Sequence, residues 1–525
     1  MSSRNLYEVL AETASLHPHA PAIEHGATTI TYAALLAQVN ELRDKLLARG
    51  VKPGDRVAVM VGRDTVEPAL LFALSSCRAV FASLNRLWKP AQVAYALRYL
   101  RPTFFLTGKG VAAQMARCED YVAPPGGIIV QEELLAIAPP SIRITPPTPS
   151  PMDLGAIIFT SGSSGQPKGV MHSNASLLRW TESTVRYLGN RPGDRVLAIL
   201  PLAFGYGLNQ LLCMVHCGGC YRISQSVLMG DVIRELAANQ VTGLAGIPNF
   251  WRDFTRALPD LGVAASDFSL RYLTNAGGHC PASVLSEVRS QIEGADLYLM
   301  YGTTETLRSA YLPPHLFDAK MGAIGVPVPG AQVLLLNAEG QPCQPGEVGE
   351  IVHRGPTVAQ GYFGIPAEQS TDRFRPAPDW LPDVREGEKV CFTGDLARQD
   401  DDGILWFESR RDRQLKINGF RISPTEIEDV TKQLDFVDDV VAVCVKSDDK
   451  AETIHLAVAV RNDAEPPAED EITKFLRSRV ANYMVPAKVH YWTDAFPRTA
   501  NGKTDYGTIQ RLLNALDAEP LKKTA

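Results

Sequence analysis

The chain of 525 residues is 45% hydrophobic and 21% charged, with a formal net charge of −6. This is the composition of a soluble globular protein without a basic footprint for nucleic acid, and its length calls for about three or four compact units, some fused. No apolar run reaches the roughly 18 residues of a membrane span, and Glu8 and Glu12 interrupt what a secretory signal would need as an apolar core. Nine scattered cysteines suit reduced thiols, so the expected location is the cytoplasm.

Helical spacing runs from Thr31 to Gly50. Leu35, Leu36, Val39, Leu42, Leu46 and Leu47 share a face, Thr31 is a candidate N-cap and Gly50 a stop. KPGDRVAVMV (52–61) reads as a turn into a strand at 57–61, followed by an apolar helix over 66–76 and a strand near Val80. That alternation predicts an α/β domain with a mostly parallel sheet. Six prolines between Ala136 and Asp153 exclude regular structure and make a linker or an extended crossing.

Behind LGAIIF (154–159), which has the length of a buried strand, comes TSGSSGQPKG (160–169). Glycines let main-chain N–H groups turn toward an oxyanion, Ser and Thr hydroxyls add donors, and Lys168 supplies a mobile charge, so the stretch reads as a phosphate loop. It is not a Walker A loop, because Pro167 precedes the lysine and Gly169 follows it. A flexible Ser/Gly loop ending in a surface lysine is the competing reading from composition alone.

Residues 174–188 again read as a helix, and RPGDRVLAIL (191–200) echoes KPGDRVAVMV. The echo predicts two similar helix, turn, strand units in two packed subdomains, against a chance recurrence of turn residues. CMVHCGGC (213–220) has the CxxxCxxC spacing of some iron–sulfur sites. It also ends an apolar helix at Gly218 and Gly219, where cysteine acts as a small hydrophobe, and this second reading is preferred. Residues 346–362 predict a small β subdomain, 375–382 a Pro-rich loop, and the charged run SRRDRQLKINGFR (409–421) a domain boundary near Asp412. Beyond it the expectation is strands at 440–445 and 455–460, a helix over 469–480, and a polar tail.

In this order, the stretches resemble the adenylate-forming superfamily of acyl-CoA synthetases, aryl-CoA ligases, luciferases and carrier-loading adenylation domains, over nearly the whole chain. TSGSSGQPKG is similar to the family's phosphate loop, and Tyr301, Gly302, Thr303, Thr304 and Glu305 match its YGxTE motif. Thr393, Gly394 and Asp395 match its ribose motif; Arg410, Asp412, Lys416 and Gly419 match its RxDxxxKxxG hinge motif; PRTANGK (497–503) places Lys503 at its catalytic lysine. The resemblance implies a large N-terminal domain, 1–411, of two packed α/β subdomains plus a small β subdomain. It also implies a small mobile α+β C-terminal domain, 412–525.

It implies a chemistry as well. A carboxylate attacks the α-phosphorus of ATP, pyrophosphate leaves, and the resulting acyl-AMP is passed to the thiol of coenzyme A or of a carrier-protein phosphopantetheine. Negative charge gathers around that phosphorus and must be offset. By the resemblance, Thr160, Ser161, Gly162, Ser163, Ser164, Gly165 and Lys168 hold the leaving phosphates, Glu305 binds magnesium, and Thr304 donates to the α-phosphate. Tyr301 stacks on adenine, which Gly277 and Gly278 let the backbone approach, and Asp395, with Arg410 beside it, accepts from the ribose hydroxyls. Lys503 bridges the attacking carboxylate and the α-phosphate. The small domain then turns about Asp412, bringing the strand around Gly419 to a thiol tunnel.

Two departures bear on substrate and acceptor. Phe204 stands where many members have a histidine, and FGYGLNQ resembles the FAYGL stretch of benzoate-CoA ligases. Phe204, Tyr206 and Leu208 offer apolar surface, while Gly205 and Gly207 leave room for a flat ring. Gly205 also lacks the aspartate with which amino-acid-activating members pair the substrate ammonium, so the expected substrate is an uncharged hydrophobic acid, aromatic before aliphatic. Tyr506 replaces the family's usual arginine after Lys503. The function implied is an AMP-forming acid:CoA ligase; its rivals are a stand-alone enzyme loading a carrier protein and a catalytically silent nucleotide-binding module.

Overall fold

The computed structural model describes residues 4–139, 148, 150–161, 167–278, 280–366, 369, 373–410, 415–417, 420–446, 452–461, 468–492, 496–497 and 504–518. The chain divides into two compact units. One comprises Met1–Arg86, Ala94–Thr160 and Gly169–Arg411; the other comprises Leu87–Val93, Ser161–Lys168 and Asp412–Ala525.

The larger unit opens with helix α1 (Leu6–Leu16) and the hairpin β1 (Pro21–His25) and β2 (Thr28–Thr31). Thr31 then caps α2 (Tyr32–Ala48) by accepting from Ala34 N, and Leu35, Val39, Leu42 and Leu46 are buried along it, as the apolar spacing predicts. β3 (Arg56–Met60), α3 (Val66–Ser76), β4 (Val80–Ser83), α4 (Pro90–Leu100), β5 (Phe104–Thr107), α5 (Lys109–Met115), β6 (Ile128–Val130) and α6 (Gln131–Ala136) follow in alternation. β4, β3, β5 and β6 are parallel neighbours, and β4 and β5 are buried throughout, as strands covered on both faces must be. Most of the proline stretch after α6 lies outside the described residues.

β7 (Leu154–Ser161) and β8 (Pro167–Ser173) come next. The expected phosphate loop therefore begins and ends in strand. Thr160 and Ser161 close β7, Pro167, Lys168 and Gly169 open β8, and 162–166 lie outside the described residues. After α7 (Asn174–Leu188), capped by Ser173, the alternation resumes: β9 (Arg195–Ala198), α8 (Gly205–Cys217), β10 (Cys220–Ile223), α9 (Met229–Ala238), β11 (Gly243–Gly246), α10 (Pro248–Ala257), β12 (Tyr272–Asn275), α11 (Ala282–Gln291), β13 (Asp296–Tyr301), β14 (Ala310–Leu312) and β15 (Val326–Pro327). These strands and the N-terminal hairpin form a nine-stranded sheet of order β15-β14-β13-β12-β11-β9-β10-β1-β2. One hydrophobic core draws on both sheets and the helices beside them, with Leu10, Tyr32, Val59, Phe72, Trp180, Val196 and Leu211 among its members.

The two PGD segments are the same folding unit twice. Lys52 N donates to Asp55 Oδ2 at 2.8 Å, and Arg191 N to Asp194 Oδ2 at 2.9 Å. Thr103 Oγ1 and Thr242 Oγ1 donate to the other carboxylate oxygen, at 2.8 and 3.0 Å. The strand orders also correspond, β4-β3-β5 in one sheet and β10-β9-β11 in the other. The echo in sequence is thus a repeat in structure.

The remaining strands of the larger unit are β16 (Gln332–Leu336), β17 (Val348–Arg354), β18 (Gly361–Tyr362), β19 (Phe374–Pro376), β20 (Lys389–Gln399) and β21 (Leu405–Arg410). All but β18 form the expected small antiparallel sheet. Two expectations change, and the ribose motif is placed. The 346–362 stretch is divided, because β18 pairs with β8 and completes the seven-stranded sheet. The Pro-rich loop begins within β19. Thr393, Gly394 and Asp395 lie within β20 at a register shift opposite Glu350 and Val352, where Gly394 takes φ +69°, a conformation glycine adopts without steric cost.

The smaller unit contains the ribbon β22 (Leu415–Ile417) and β23 (Phe420–Ile422), α12 (Pro424–Thr431), a sheet of β24 (Val437–Lys446), β25 (Glu452–Val460) and β26 (Lys488–Trp492), α13 (Glu469–Arg477) and α14 (Tyr506–Ala518). The charged run is therefore largely strand where it is described. The polar tail contains α14. Ile509 and Leu513, one turn apart, are fully buried with Val441, Val443 and Val445, and Asp505 accepts from Thr508 N at 3.0 Å at its start. Ile509, Leu512, Leu513 and Leu516 recur at helical spacing, a signal that the expectation of a polar tail overlooked.

Candidate active site

Strands β9, β11, β12 and β13 run parallel, and in such sheets ligands bind beyond the carboxyl ends. Phe204 to Leu208 follow β9, Gly277 and Gly278 follow β12, and Tyr301 closes β13 ahead of Gly302 to Glu305. Gly277 has φ +86°. A Cβ on Gly302 would stand 2.6 Å from Leu307 O and 2.9 Å from Arg308 Cα, so only glycine lets the chain fold back there.

Two other sheets fasten this loop. From the seven-stranded sheet, His172 on β8 donates from Nε2 to Thr304 O at 2.9 Å, and the Tyr362 hydroxyl on β18 donates to Glu305 Oε1 at 2.8 Å. From the small sheet, Asp395 on β20 accepts from the Tyr301 hydroxyl at 2.6 Å. Glu305 and Asp395 are 3% and 1% exposed, so both carboxylates are held by hydrogen bonds out of bulk water, as buried acids require. His353 extends the support, touching Ser309 Oγ at 3.0 Å and Thr357 Oγ1 at 2.9 Å. Ser309 in turn meets Thr306 Oγ1 at 3.0 Å. Burial brings the pKa of both histidines down to about 4, so they act near pH 7 as neutral hydrogen-bonding groups.

Asp395 pairs in register with Arg410 on β21, so the backbone brings these two predicted residues side by side. Thr160, buried, ends β7, and Lys168, half-buried, lies on β8. Gly162, Ser163, Ser164, Gly165, Asp412, Gly419 and Lys503 lie outside the described residues.

The predicted acid-binding residues divide. Phe204 caps α8 and Gly205 opens it, with a Cβ on Gly205 only in ordinary contact with Trp180, 3.5 Å away. The Tyr206 hydroxyl meets Thr274 Oγ1 at 2.6 Å. Leu208, however, is 1% exposed and belongs to the shared core. Gly207 leaves no room for a ring: a Cβ there would collide with Pro201 O, so this glycine serves the close approach of two backbone segments. Cys213 is buried facing Thr181 O, and Cys217 lies against Arg191 O and Met214 O. Among the described residues no group of three or more His, Cys, Asp or Glu is arranged to hold a metal ion.

Sequence reading missed His172, Tyr362, His353 and Arg308. Arg308, three residues after Glu305, is 4% exposed with its guanidinium carbon 5.3 Å from the Tyr206 ring centroid. A charged residue three positions after the YGTTE motif, in an otherwise apolar and small-residue stretch, was the signal for it. The others come from distant strands and gave none.

The family model for AMP-binding enzymes matches residues 10–363, and that for the AMP-binding enzyme C-terminal domain matches 426–503. The chain belongs to the AMP-binding enzymes, the adenylate-forming superfamily. It is 30% identical over 508 residues to a feruloyl-CoA synthase of Amycolatopsis sp, covering 95% of this chain and 97% of that one. It is also 30% identical over 512 residues to CymA of Salinispora arenicola, a probable non-canonical nonribosomal peptide synthetase. That match covers 95% of this chain and 6% of CymA, so the chain spans a small part of that relative's length. The structure of a double mutant of o-succinylbenzoate CoA synthetase (MenE) from Bacillus subtilis superposes with a TM-score of 0.84 at 23% identity, covering 97% and 98% of the two chains.

Proposed function

We propose that the chain activates an aromatic carboxylic acid with ATP as the acyl-AMP and transfers it to coenzyme A. The observation that carries this is a pair of buried carboxylates at the carboxyl end of β13, Glu305 on the loop beyond it and Asp395 brought to Tyr301 by β20, each accepting from a tyrosine hydroxyl. Tyr301 orients Asp395, whose acceptor oxygens suit a pair of ribose hydroxyls. His172 fixes the Thr304 carbonyl, so that the Thr304 side chain keeps one direction toward the α-phosphate. Glu305, which accepts from the Tyr362 hydroxyl, supplies the hard carboxylate oxygen that magnesium prefers. Magnesium bound there offsets triphosphate charge. MenE, solved also with ATP and a magnesium ion, supports the choice of nucleotide and metal. Lys503 bridges the attacking carboxylate and the α-phosphate, and Asp412 is the hinge between a domain of 1–411 and a mobile one of 412–525.

The likeness to feruloyl-CoA synthase over almost its full length favours an aromatic acid and coenzyme A. Transfer to a carrier-protein phosphopantetheine is the second reading, favoured by the likeness to part of CymA and by Tyr506 in place of an arginine. Pyrophosphate exchange with benzoate-like and cinnamate-like acids, octanoate and free amino acids tests the first step. The aromatic acids are expected to rank first, and an amino acid at the top would overturn the substrate assignment. Thioester formation with coenzyme A against a carrier protein decides the acceptor.

A further inference from the structure

Arg308 is buried at the edge of the candidate acid site without a counter-charge. Its Nε has no hydrogen-bond partner, and among the described residues no carboxylate pairs with it. A guanidinium remains ionised at any working pH, so burying it unpaired is costly. The face of Tyr206, 5.3 Å away, offsets only part of that cost. The backbone is also strained: Leu307, immediately before it, has φ +60°, a conformation unfavourable for a branched side chain. A loop that holds both strain and an unpaired cation is arranged for a ligand at the expense of stability. Tyr206, which faces the guanidinium, stands on the first turn of α8 next to Phe204 and Gly205. The planar fork of an arginine matches a carboxylate through two parallel hydrogen bonds.

We propose that Arg308 binds a second carboxylate on the acid that the chain activates, so that the substrate is an aromatic diacid with one carboxylate at the α-phosphate and the other on Arg308. The inference rests on the reading of the chain as an acid-activating enzyme, and it replaces the uncharged aromatic acid expected from Gly205 with one that has an anionic far end. A free amino acid stays disfavoured, because its ammonium would meet a like charge.

The test pairs aromatic diacids with their monomethyl esters. Binding is read from tryptophan fluorescence, and activation from pyrophosphate exchange, in wild type, Arg308→Met and Arg308→Lys. Wild type is expected to bind diacids more tightly than esters. Arg308→Met should reduce that ratio by about 30-fold or more, the scale of losing one partner of a buried charge pair, and Arg308→Lys should retain part of it. Without ligand, Arg308→Met should melt at a higher temperature than wild type, because it removes an unpaired buried charge; an arginine kept for packing on Tyr206 would give the opposite shift. Equal binding of diacids and esters by wild type overturns the proposal, as does a ratio indifferent to residue 308. Diacid binding through Arg308 with no exchange for any acid would leave this inference standing and sink the ligase reading. Exchange that ignores residue 308 would do the reverse.

Discussion

The two copies of the PGD unit share a turn, a strand order and a pair of threonine-to-aspartate hydrogen bonds, yet only one is extended into the edge that carries the candidate site. After β5 the first copy adds the three-residue strand β6 and then α6. After β11 the second adds β12 and β13, which end in Gly277–Gly278 and the Tyr301–Glu305 loop. The first sheet contributes β7 and β8 instead, on the opposite side of β4, and with them Thr160, Lys168 and His172. The difference teaches that the repeated framework fixes where strand ends lie, while the residues beyond those ends decide what they do.

The largest test of that contrast exchanges a carboxylate for an amide at a strand end of each copy. Glu305→Gln should slow pyrophosphate exchange by about two orders of magnitude, the scale of a group that offsets transition-state charge, and should raise the magnesium requirement. Asp64→Asn, beyond β3 in the first copy, keeps an oxygen that can accept from Val66 N and should leave exchange within about twofold. Equal losses would erase the distinction between scaffold and site.

Next in size are the turn aspartates, where the copies differ in burial. Asp194 is 2% exposed and takes Arg271 Nη2 at 2.6 Å as well as Nε at 3.2 Å. Asp194→Ala should destabilise the chain by about 3 kcal/mol, the cost of breaking a buried pair. Asp55 holds its turn and Thr103 without an arginine, so Asp55→Ala should cost about 1 kcal/mol. Urea denaturation of the two variants reads the difference directly, and equal midpoints would mean that Arg271 adds nothing.

The smallest test concerns Glu67, the second residue of α3 in the first copy. Burial raises the Glu67 pKa from 4.5 to about 7 against the opposing pull of Arg86. Between those values the folded chain keeps a proton that the unfolded chain has lost, so the stability this residue lends declines as pH rises through the window. Glu67→Gln removes the dependence. Its stability relative to wild type should therefore increase from pH 4.5 to 7 and then stay level. A gap that is the same at pH 5 and pH 8 would place the carboxyl in water.

Much of the framework was legible because its signals are local. Leu35, Val39, Leu42 and Leu46 recur at helical spacing, and Thr31 offers a hydroxyl where a cap is needed. The YGTTE and TGD stretches were legible as motifs, although nothing local places TGD on a bulge of β20. Gly207 was misread because its need for glycine comes from Pro201 O, an atom outside its own helix. α14 was overlooked although Ile509, Leu512, Leu513 and Leu516 recur at helical spacing; which of them are buried, Ile509 and Leu513, is decided by packing against β24.

The sequence by itself determined the alternating elements, the repeat of the PGD unit and the family to which the chain belongs, since helix periodicity, turn chemistry and ordered motifs all reside in contiguous residues. Only the tertiary structure decided how the loop after β13 is held. His172 and Tyr362 arrive from β8 and β18 because those strands pair, and Asp395 arrives from a third sheet. The unpaired state of Arg308 was equally invisible beforehand, because a missing partner is a property of everything packed around a side chain and is written in no single stretch of it.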